Sequence, residues 1–378
     1  MIVRTPPMGW NSWNTFGRNI DEKLIMETAD AFIENGLLEA GYNYLVIDDC
    51  WAEMQRDENG RLVPDHIKFP HGMKYVADYV HSKGLKFGMY SCAGSLTCAG
   101  YPASFEYEFI DAETFASWGV DYLKYDYCFR PMNQQGHALY KRMGLALANC
   151  GRDICFSACS WGVDRTNEWI KQTGAHLWRS TGDINDSWAS VKQLLEKQTE
   201  YFTTNGQGCF NDMDMLIVGM HGKGNVAVAG CTDEEYRTHF SAWAFLGSPL
   251  MIGCDIRNMD EVTKSILLNK EIIAINQDGA YRQPFDCGNH WWAQDVKVWA
   301  KFLEGGDIAV GVFNLSDGPA DPFFSFDTLG IDRVSGKALE IRDIWKGETL
   351  GVFKDVFRTE HIAAHTCKMY RCKVVDAK

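Results

Sequence analysis

Hydrophobic and polar positions over the first three quarters of the chain repeat one unit, a short apolar run followed by a longer segment with helical spacing. Each run starts apolar and turns polar or acidic at its C-terminal end. The eight runs occupy residues 8–13, 42–51, 85–91, 120–128, 153–161, 176–184, 208–216 and 248–256. Nearly continuous apolar character is typical of strands that are buried on both faces of a parallel sheet.

The segments between the runs carry a helical pattern. Residues 22–36 place Leu24, Ile25, Ala29 and Phe32 on one face and end in glycine. Further helices are predicted at 187–202, 232–247 and 260–276. Eight strand-then-helix units predict a (β/α)8 TIM barrel. The alternative is an open doubly wound sheet, but this usually has fewer strands, and its dinucleotide-binding form would need a GxGxxG motif that is absent.

The pattern changes after about residue 285. Short β-rich runs follow, separated by turn signals such as EGGD and SDGP. These runs occupy residues 291–303, 306–315, 320–327, 338–348 and 361–372. They predict a small antiparallel β-domain at 286–378 after a barrel at 1–285. Because no low-complexity linker separates the two parts, we expect them to pack closely.

Composition excludes several classes of partner and cofactor. The net charge is -13 and no run of Lys or Arg stands out, which argues against a nucleic-acid partner. No stretch approaches the ~18–20 apolar residues of a membrane span, and the N-terminus lacks a signal-peptide pattern, so a cytoplasmic location without membrane contact is predicted. The 13 cysteines form no CxxC pair. We therefore predict no metal and no cofactor.

In a barrel of this type, side chains at the C-terminal ends of the strands face the active-site mouth. These ends supply a set rich in carboxylates and aromatic rings. The set comprises Trp10, Asp48, Asp49, Trp51, Tyr90, Lys124, Asp126, Ser160, Trp161, Arg179, Asp183, Asp212, Asp214 and Asp255. Aromatic faces stack on the CH groups of sugars and carboxylates accept hydrogen bonds from hydroxyls, so the set predicts a carbohydrate pocket.

Two aspartates in this set are candidates for the chemistry. Strand alternation points Lys124 and Asp126 the same way, and the ammonium would keep Asp126 ionised as a nucleophile. The alternative is an ordinary surface Lys–Asp pair, which an apolar strand disfavours. Asp183 lies near the end of the sixth run, at the end of the strand or in the short loop after it, where a carboxyl can act as a general acid. It could equally cap a helix, although Asp186 and Ser187 are better placed to do so.

Two acidic pairs, Asp48 with Asp49 and Asp212 with Asp214, are ambiguous from sequence. Each pair suits a divalent ion, two sugar hydroxyls, or one functional and one structural carboxylate. A metal-dependent barrel hydrolase built on these pairs is therefore an alternative, and it would lose its activity on chelation.

Several segments resemble glycoside hydrolase family 27, the α-galactosidase and α-N-acetylgalactosaminidase family. The resemblance runs over roughly residues 4–375. It is carried by PPMGWNSWN (6–14), YLVIDDCW (44–51), residues 97–128, ACSWG (158–162), WRSTGDINDSW (178–188) and NDMDML (211–216). It implies a barrel with a C-terminal β-sandwich, and hydrolysis of terminal α-D-galactosyl residues from oligosaccharides or glycoconjugates with retention of configuration. The family often forms oligomers.

The resemblance also assigns roles. It matches Asp126 to the nucleophile and Asp183 to the general acid/base, in a family whose carboxyls lie about 5–5.5 Å apart. It implies sugar contacts for a wider group, with Asp48 and Asp49 near the 4-OH and 6-OH of galactose. That group is Trp10, Asp48, Asp49, Tyr90, Lys124 and Arg179, with Asp214 lining the pocket. Ser160 and Trp161, from the strand ends, complete the predicted substrate-binding set. A disulfide between Cys98 and Cys128 is implied as well.

Ser160 is a departure from many family α-galactosidases, which carry a longer polar residue there. A small residue opens space for an acetamido group at the sugar's 2-position, and Val163 partly refills it. Such differences in bulk contribute about 1–3 kcal/mol of discrimination. We therefore expect an α-galactosidase, with α-N-acetylgalactosaminidase or dual activity as the alternative.

Overall fold

The computed structural model describes residues 2–202, 206–288 and 295–377. Its first part is an eight-stranded parallel sheet. Seven of the strands lie inside their apolar runs, and the third extends one residue beyond its run, to Cys92. The strands are β1 (Met8–Asn11), β2 (Tyr44–Val46), β3 (Lys86–Cys92), β4 (Tyr122–Asp126), β5 (Cys155–Ala158), β6 (Leu177–Arg179), β7 (Phe210–Asp212) and β8 (Leu250–Ile252).

The strand order is β7-β6-β5-β4-β3-β2-β1-β8. The chain just after β7 then returns to β8, because the Leu216 N–H donates to the Met251 carbonyl (2.7 Å) and the Gly253 N–H donates to the Leu216 carbonyl (2.9 Å). Helices follow the strands in alternation, which confirms the predicted (β/α)8 barrel. Every strand therefore directs its C-terminal end to the same face of the barrel.

The helices surround this sheet. They are α1 (Trp13–Phe16), α2 (Glu22–Glu34), α3 (Leu37–Ala40), α4 (Gly72–Ser82), α5 (Glu108–Trp118), α6 (Gly136–Asn149), α7 (Thr166–Trp169), α8 (Trp188–Glu196), α9 (Asp233–Leu246), α10 (Glu261–Leu267) and α11 (Lys270–Asn276). Short 3-10 helices lie at Val163–Arg165, Ile170–Gln172, Lys197–Tyr201, Ile256–Asn258 and Phe326–Leu329. None of the helices within the described residues has both the length and the apolar character that crossing a membrane requires.

One predicted helix is wrong in its extent. The segment 260–276 forms two helices, α10 and α11, rather than one. The break occurs at Asn269, whose side chain accepts hydrogen bonds from the backbone N–H groups of Glu271 and Ile272, both at 3.1 Å. Asparagine is a favoured N-cap because its side-chain oxygen satisfies N–H groups that a helix start leaves free.

The C-terminal part is a β-sandwich. Its strands are β9 (Phe285–Asp286), β10 (Val296–Phe302), β11 (Ile308–Asn314), β12 (Phe323–Ser325), β13 (Lys337–Asp343), β14 (Glu348–Phe353), β15 (Val356–Arg358) and β16 (Cys367–Asp376). Six form an antiparallel sheet in the order β14-β13-β16-β11-β10-β9, and β12 pairs with β15. Phe324 and Phe357 of the small sheet share a core with Val310, Ile341 and Tyr370 of the large sheet. Residues 291–294 of the predicted run 291–303 lie outside the described residues.

The barrel and the sandwich share buried surface. Trp299 and Phe313 of the sandwich belong to the same hydrophobic core as Phe245 of α9. Lys301 of β10 is buried, and its ammonium donates to the carbonyls of Ile275 (3.2 Å) and Phe245 (3.5 Å), near the C-terminal ends of α11 and α9. A positive charge there is favourable because helix C-termini carry partial negative charge.

Candidate active site

A cavity of about 180 Å³ lies at the C-terminal ends of the barrel strands. It gathers residues from seven of the eight strand ends or the segments that follow them. The lining residues are Trp13, Asn14, Asp48, Asp49, Tyr90, Cys98, Lys124, Asp126, Cys128, Trp161, Arg179, Asp183, Ile184, Asp214, Met215 and Val226. A larger cavity, of about 780 Å³, lies at the opposite end, near Asp121, Ile154 and His176, and none of the predicted site residues lines it.

Lys124 and Asp48 form the charged floor of the smaller cavity. The Lys124 ammonium donates to Asp48 Oδ2 at 2.7 Å, and the Asn11 amide donates to the same oxygen at 2.7 Å. Burial acts to lower the pKa of Lys124, but Asp48, Cys159 and Asp126 together raise it by more, with Asp48 the largest of the three. Lys124 therefore keeps its charge, and strand β4 presents a cation beside Asp126 as its sequence position predicted.

Asp49 occupies the next position and is fixed by the backbone. Its carboxylate accepts hydrogen bonds from the N–H groups of Cys50 (2.7 Å) and Ala99 (2.9 Å). Burial raises the pKa of Asp49 above its ordinary value, and these two donors act in the opposite direction. Both carboxylates of the first acidic pair are thus held in place by protein donors.

Asp126 ends strand β4 and is buried at 6% exposure. The Tyr127 N–H donates to its Oδ1 (2.9 Å) and the Tyr90 hydroxyl donates to its Oδ2 (3.2 Å). Burial raises the pKa of Asp126 to about 6, while Lys124 acts to lower it. Near neutral pH the side chain is therefore largely a carboxylate, held by two donors in a cavity that is partly closed to water.

Asp183 lies in the loop between β6 and α8, and its side chain is 78% exposed. The Arg179 guanidinium donates to Asp183 Oδ1 at 2.8 Å through the same nitrogen that donates to Asp214 Oδ2 at 2.6 Å. Nearby protein atoms partly desolvate the Asp183 carboxyl, but attraction to Arg179 and Lys124 outweighs this and its pKa is lowered. Asp183 is thus free of a capping role, which Ser187 fills for α8.

A disulfide between Cys98 and Cys128 ties the loops after β3 and β4 together. Both cysteines line the cavity, and the Tyr90 hydroxyl lies 3.3 Å from the Cys98 sulfur. The two loops approach so closely at Gly94 that a Cβ there would lie 2.0 Å from the Cys128 carbonyl oxygen. The disulfide and this glycine therefore define one wall of the cavity.

Two of the predicted sugar contacts do not reach the cavity. Trp10 is fully buried, and its indole N–H donates to the Cys254 carbonyl at 2.8 Å, so its contact with a sugar stays a prediction that the lining of this cavity does not support. Ser160 is also fully buried, and its hydroxyl lies 2.7 Å from that of Thr166. Trp161 does line the cavity, from a left-handed backbone position with φ of 58°.

The sequence reasoning missed several lining residues. Trp13 takes the place expected for Trp10, because β1 ends at Asn11 and the chain turns into α1 at Trp13. Both tryptophans stand in the first apolar run, so its composition signalled an aromatic ring without saying which one. Asn14 lies in α1, whereas Ile184, Met215 and Val226 lie in loops after the strand ends, where the position of a residue in the sequence does not fix the direction of its side chain.

The described residues contain two groups whose ligand atoms are close enough to hold a metal. One consists of Cys98, Cys128 and Asp126, but its sulfurs are joined in the disulfide. The other consists of Glu53, Asp65 and His66 and lies in the segment between β2 and α4, away from the cavity. Neither acidic pair named from the sequence forms such a group in the part of the chain described.

Comparison with known proteins places this geometry in context. Residues 5–278 match the family model described as alpha galactosidase A, and residues 293–372 match the alpha galactosidase C-terminal beta sandwich domain. An alpha-galactosidase of Cyamopsis tetragonoloba is 44% identical over 372 residues, covering 98% of this chain and 86% of the relative.

Two solved structures extend the likeness. Alpha-galactosidase I of Mortierella vinacea superposes with a TM-score of 0.90 at 36% identity, covering 97% of this chain and 96% of the other. An alpha-galactosidase of Saccharomyces cerevisiae, solved with raffinose, superposes with a TM-score of 0.88 at 30% identity, covering 98% of each chain.

Proposed function

This chain belongs to the α-galactosidase family, glycoside hydrolase family 27, and we propose that it hydrolyses terminal α-D-galactosyl residues by double displacement with retention of configuration. The observation that carries the proposal is that Asp126 and Asp183 line one small polar cavity together with Asp48, Asp49 and Lys124. The S. cerevisiae relative was solved with raffinose, whose galactose is α-linked, and oligosaccharides or glycoconjugates ending in this sugar are the proposed substrates.

In the first step, the Asp126 carboxylate attacks the anomeric carbon and the bond from that carbon to the glycosidic oxygen breaks. The departing oxygen takes a proton from Asp183 and leaves as an alcohol. The Tyr127 N–H and the Tyr90 hydroxyl hold the attacking carboxylate in a fixed orientation. Such prior orientation lowers the entropic part of the activation barrier of the reaction.

In the second step, a water molecule attacks the same carbon and displaces the Asp126 carboxylate. Asp183 now accepts the proton that the water loses, so both side chains return to their starting forms. Two inversions at one carbon leave the α configuration unchanged. Asp183 suits this double duty because its exposed loop position gives both the leaving alcohol and the incoming water access to the carboxyl.

Proton NMR of an early time course tests the mechanism. With p-nitrophenyl α-D-galactopyranoside, the first-formed sugar should be α-galactose, and β-galactose should appear only as mutarotation proceeds. If β-galactose is formed first, the enzyme inverts configuration and Asp126 is not a covalent nucleophile.

The alternative activity is removal of α-N-acetylgalactosamine, and Ser160 is the observation that favours it. Ser160 is, however, fully buried and hydrogen-bonded to Thr166, so its small size adds no space to the described cavity. Val163 is 39% exposed in the short 3-10 helix that follows. An acetamido group would therefore require this loop to move, which supports galactose as the preferred sugar.

Measuring kcat/KM for p-nitrophenyl α-D-galactopyranoside and p-nitrophenyl α-N-acetylgalactosaminide on one preparation decides between the two sugars. We expect a preference for the galactoside above about 100-fold, or roughly 2.7 kcal/mol in transition-state binding. Comparable rates, or a preference for the N-acetyl sugar, would establish the alternative.

A further inference from the structure

The Arg179 guanidinium is shared by two carboxylates of very different exposure. One of its nitrogens lies 2.6 Å from Asp214 and 2.8 Å from Asp183. The Asp214 side chain is 8% exposed and that of Asp183 is 78% exposed, while Arg179 itself is 4% exposed. The buried ion pair is therefore Arg179 with Asp214, and Asp183 is an additional partner on the solvent side.

Asp214 also holds the backbone of the loop that carries Asp183. The N–H of Ile184, the next residue in the chain, donates to Asp214 Oδ2 at 2.7 Å. The same oxygen thus binds Arg179 and the loop, so it fixes the acid from two directions. Arg179 adds two contacts to this loop, because it donates to the Asp183 side chain at 2.8 Å and to the Gly182 carbonyl at 3.0 Å.

Asp214 is itself held firmly. Its Oδ1 accepts from the Met215 N–H (2.7 Å), its own N–H donates to Asp212 (2.9 Å), and its carbonyl accepts from the Trp243 indole (2.8 Å). Its backbone is left-handed with φ of 80°, a conformation that costs a residue other than glycine of order 1–3 kcal/mol. These contacts keep the carboxylate aimed at Arg179 despite that cost.

The charge of Asp214 has a consequence for proton transfer. A guanidinium whose only carboxylate partner was Asp183 would hold Asp183 ionised, and an ionised carboxyl cannot protonate a leaving group. Asp214 offsets the guanidinium charge and, as a like charge, disfavours ionisation of Asp183. Both effects act in the same direction and favour the protonated acid.

We infer that Asp214 is the positioning residue of the general acid, anchoring its loop at Ile184 and offsetting the Arg179 charge so that Asp183 can carry the proton to the leaving group. This inference rests on the proposed function, in which Asp183 is the acid. It gives Asp214 a positioning role in place of the sugar contact that the resemblance implies.

Leaving-group dependence in Asp214→Asn tests the inference. Asparagine retains an oxygen for the Ile184 N–H but removes the charge. Hydrolysis of methyl α-galactoside, which needs a proton on its leaving oxygen, should lose about 10²-fold in kcat/KM, in the range of general acid catalysis. Hydrolysis of 2,4-dinitrophenyl α-galactoside, which needs none, should change less than about 3-fold, and inhibition by galactose should be unchanged.

Three companion variants isolate the effect. Asp214→Glu keeps the charge and should retain most of the methyl galactoside activity, which also covers the case in which Asp214→Asn fails to fold. Asp111→Asn removes the carboxylate charge of a buried pair with Arg56 outside the cavity, and should alter stability without altering leaving-group dependence. In an Asp183→Ala background, Asp214→Asn should add almost nothing, since the residue through which it acts is already absent.

Equal losses on both substrates together with weaker galactose inhibition would overturn the inference and make Asp214 a sugar ligand. Additive losses in the double variant would overturn it too. A readout that is independent of turnover is the carboxyl ¹³C signal of Asp183, assigned by its loss in Asp183→Ala. It should titrate at lower pH in Asp214→Asn than in the unaltered protein, and no shift counts against the inference. If the unaltered protein hydrolyses no α-galactoside but this shift occurs, the proposed function fails and the positioning role stands.

Discussion

The two walls of the cavity carry the same kind of side chain in opposite surroundings. The strand wall, formed by Tyr90 of β3 with Lys124 and Asp126 of β4, buries its aspartate. The loop wall, formed by Arg179, Asp183 and Asp214, leaves its reactive aspartate exposed. Burial raises the pKa of Asp126 to about 6, whereas Arg179 lowers that of Asp183. Local environment, rather than residue type, therefore decides how each acid behaves.

The order of these pKa values is the reverse of what the proposed reaction needs, since the nucleophile must be ionised and the acid protonated. The loop wall is where we expect the order to change. In the proposed reaction we expect a bound glycoside to cover the exposed Asp183 and to bring its glycosidic oxygen to the carboxyl. The loss of water around Asp183, and of part of its contact with Arg179, would then raise the pKa of Asp183. Asp126 needs no such change, because its carboxyl is mostly ionised once the pH exceeds about 6.

The largest effect is expected when the nucleophile of the strand wall, Asp126, is removed. Asp126→Ala should lower kcat by about 10⁴-fold or more, because no other group can form the covalent intermediate. Turnover of p-nitrophenyl α-D-galactopyranoside measures the loss, with circular dichroism as the control for folding. Added azide should yield β-galactosyl azide, the product of one direct displacement. Near-normal turnover would eliminate Asp126 as the nucleophile.

The next largest effect belongs to the loop wall. Asp183→Ala should cost methyl α-galactoside about 10²- to 10⁴-fold in kcat/KM, because that leaving group needs protonation. For 2,4-dinitrophenyl α-galactoside the first step should be nearly unchanged. Azide should restore turnover and yield α-galactosyl azide by attack on the glycosyl-enzyme. An equal loss across leaving groups would contradict the acid role. If Asp183→Ala instead gave β-galactosyl azide and Asp126→Ala gave α-galactosyl azide, Asp183 would be the nucleophile and Asp126 the acid.

The stability of the two walls should differ with pH. Because the pKa of Asp126 is raised in the folded protein, its contribution to stability is full below about pH 4 and is lost as the pH rises through about 6. Asp126→Asn should therefore increase the free energy of unfolding at pH 8 by up to about 3 kcal/mol and change it little at pH 4. Urea unfolding at both pH values measures this.

Asp183→Asn is the matched control for that measurement. Its carboxyl is 78% exposed, so solvent screens the pair with Arg179 and the change should stay within about 0.5 kcal/mol at either pH. An equal effect from the two variants would remove the contrast between the walls.

The smallest effect is the acid limb of the rate profile. For 2,4-dinitrophenyl α-galactoside only Asp126 has to be ionised, so kcat/KM should fall about tenfold per pH unit below about pH 6. The limb should persist in Asp183→Ala, shifted slightly to lower pH because a neighbouring negative charge raises the pKa of Asp126. If the acid limb is absent in Asp183→Ala, the group that titrates is Asp183 and not Asp126.

Much of the fold followed from local pattern. Each of the eight barrel strands coincides with one apolar run, apart from Cys92 at the end of β3, because a strand that is buried on both faces is apolar at successive residues. The prediction of a single helix at 260–276 was less accurate. The apolar spacing continues across Asn269, and only the N-cap at this residue separates the two helices. At the site, strand ends identified Asp48, Lys124 and Asp126, but Trp10 was chosen where Trp13 lines the cavity.

The sequence by itself determined the barrel with its C-terminal β-domain, the strand ends that meet at one face, and the two aspartates offered for chemistry. Only the tertiary structure decided that Asp214 shares Arg179 with Asp183, that the Asp126 side chain is buried whereas that of Asp183 is largely exposed, and that Trp10 points into the core. The reason is physical. Strand and helix patterns depend on neighbours along the chain, whereas a pKa depends on burial and on charges that distant segments bring together.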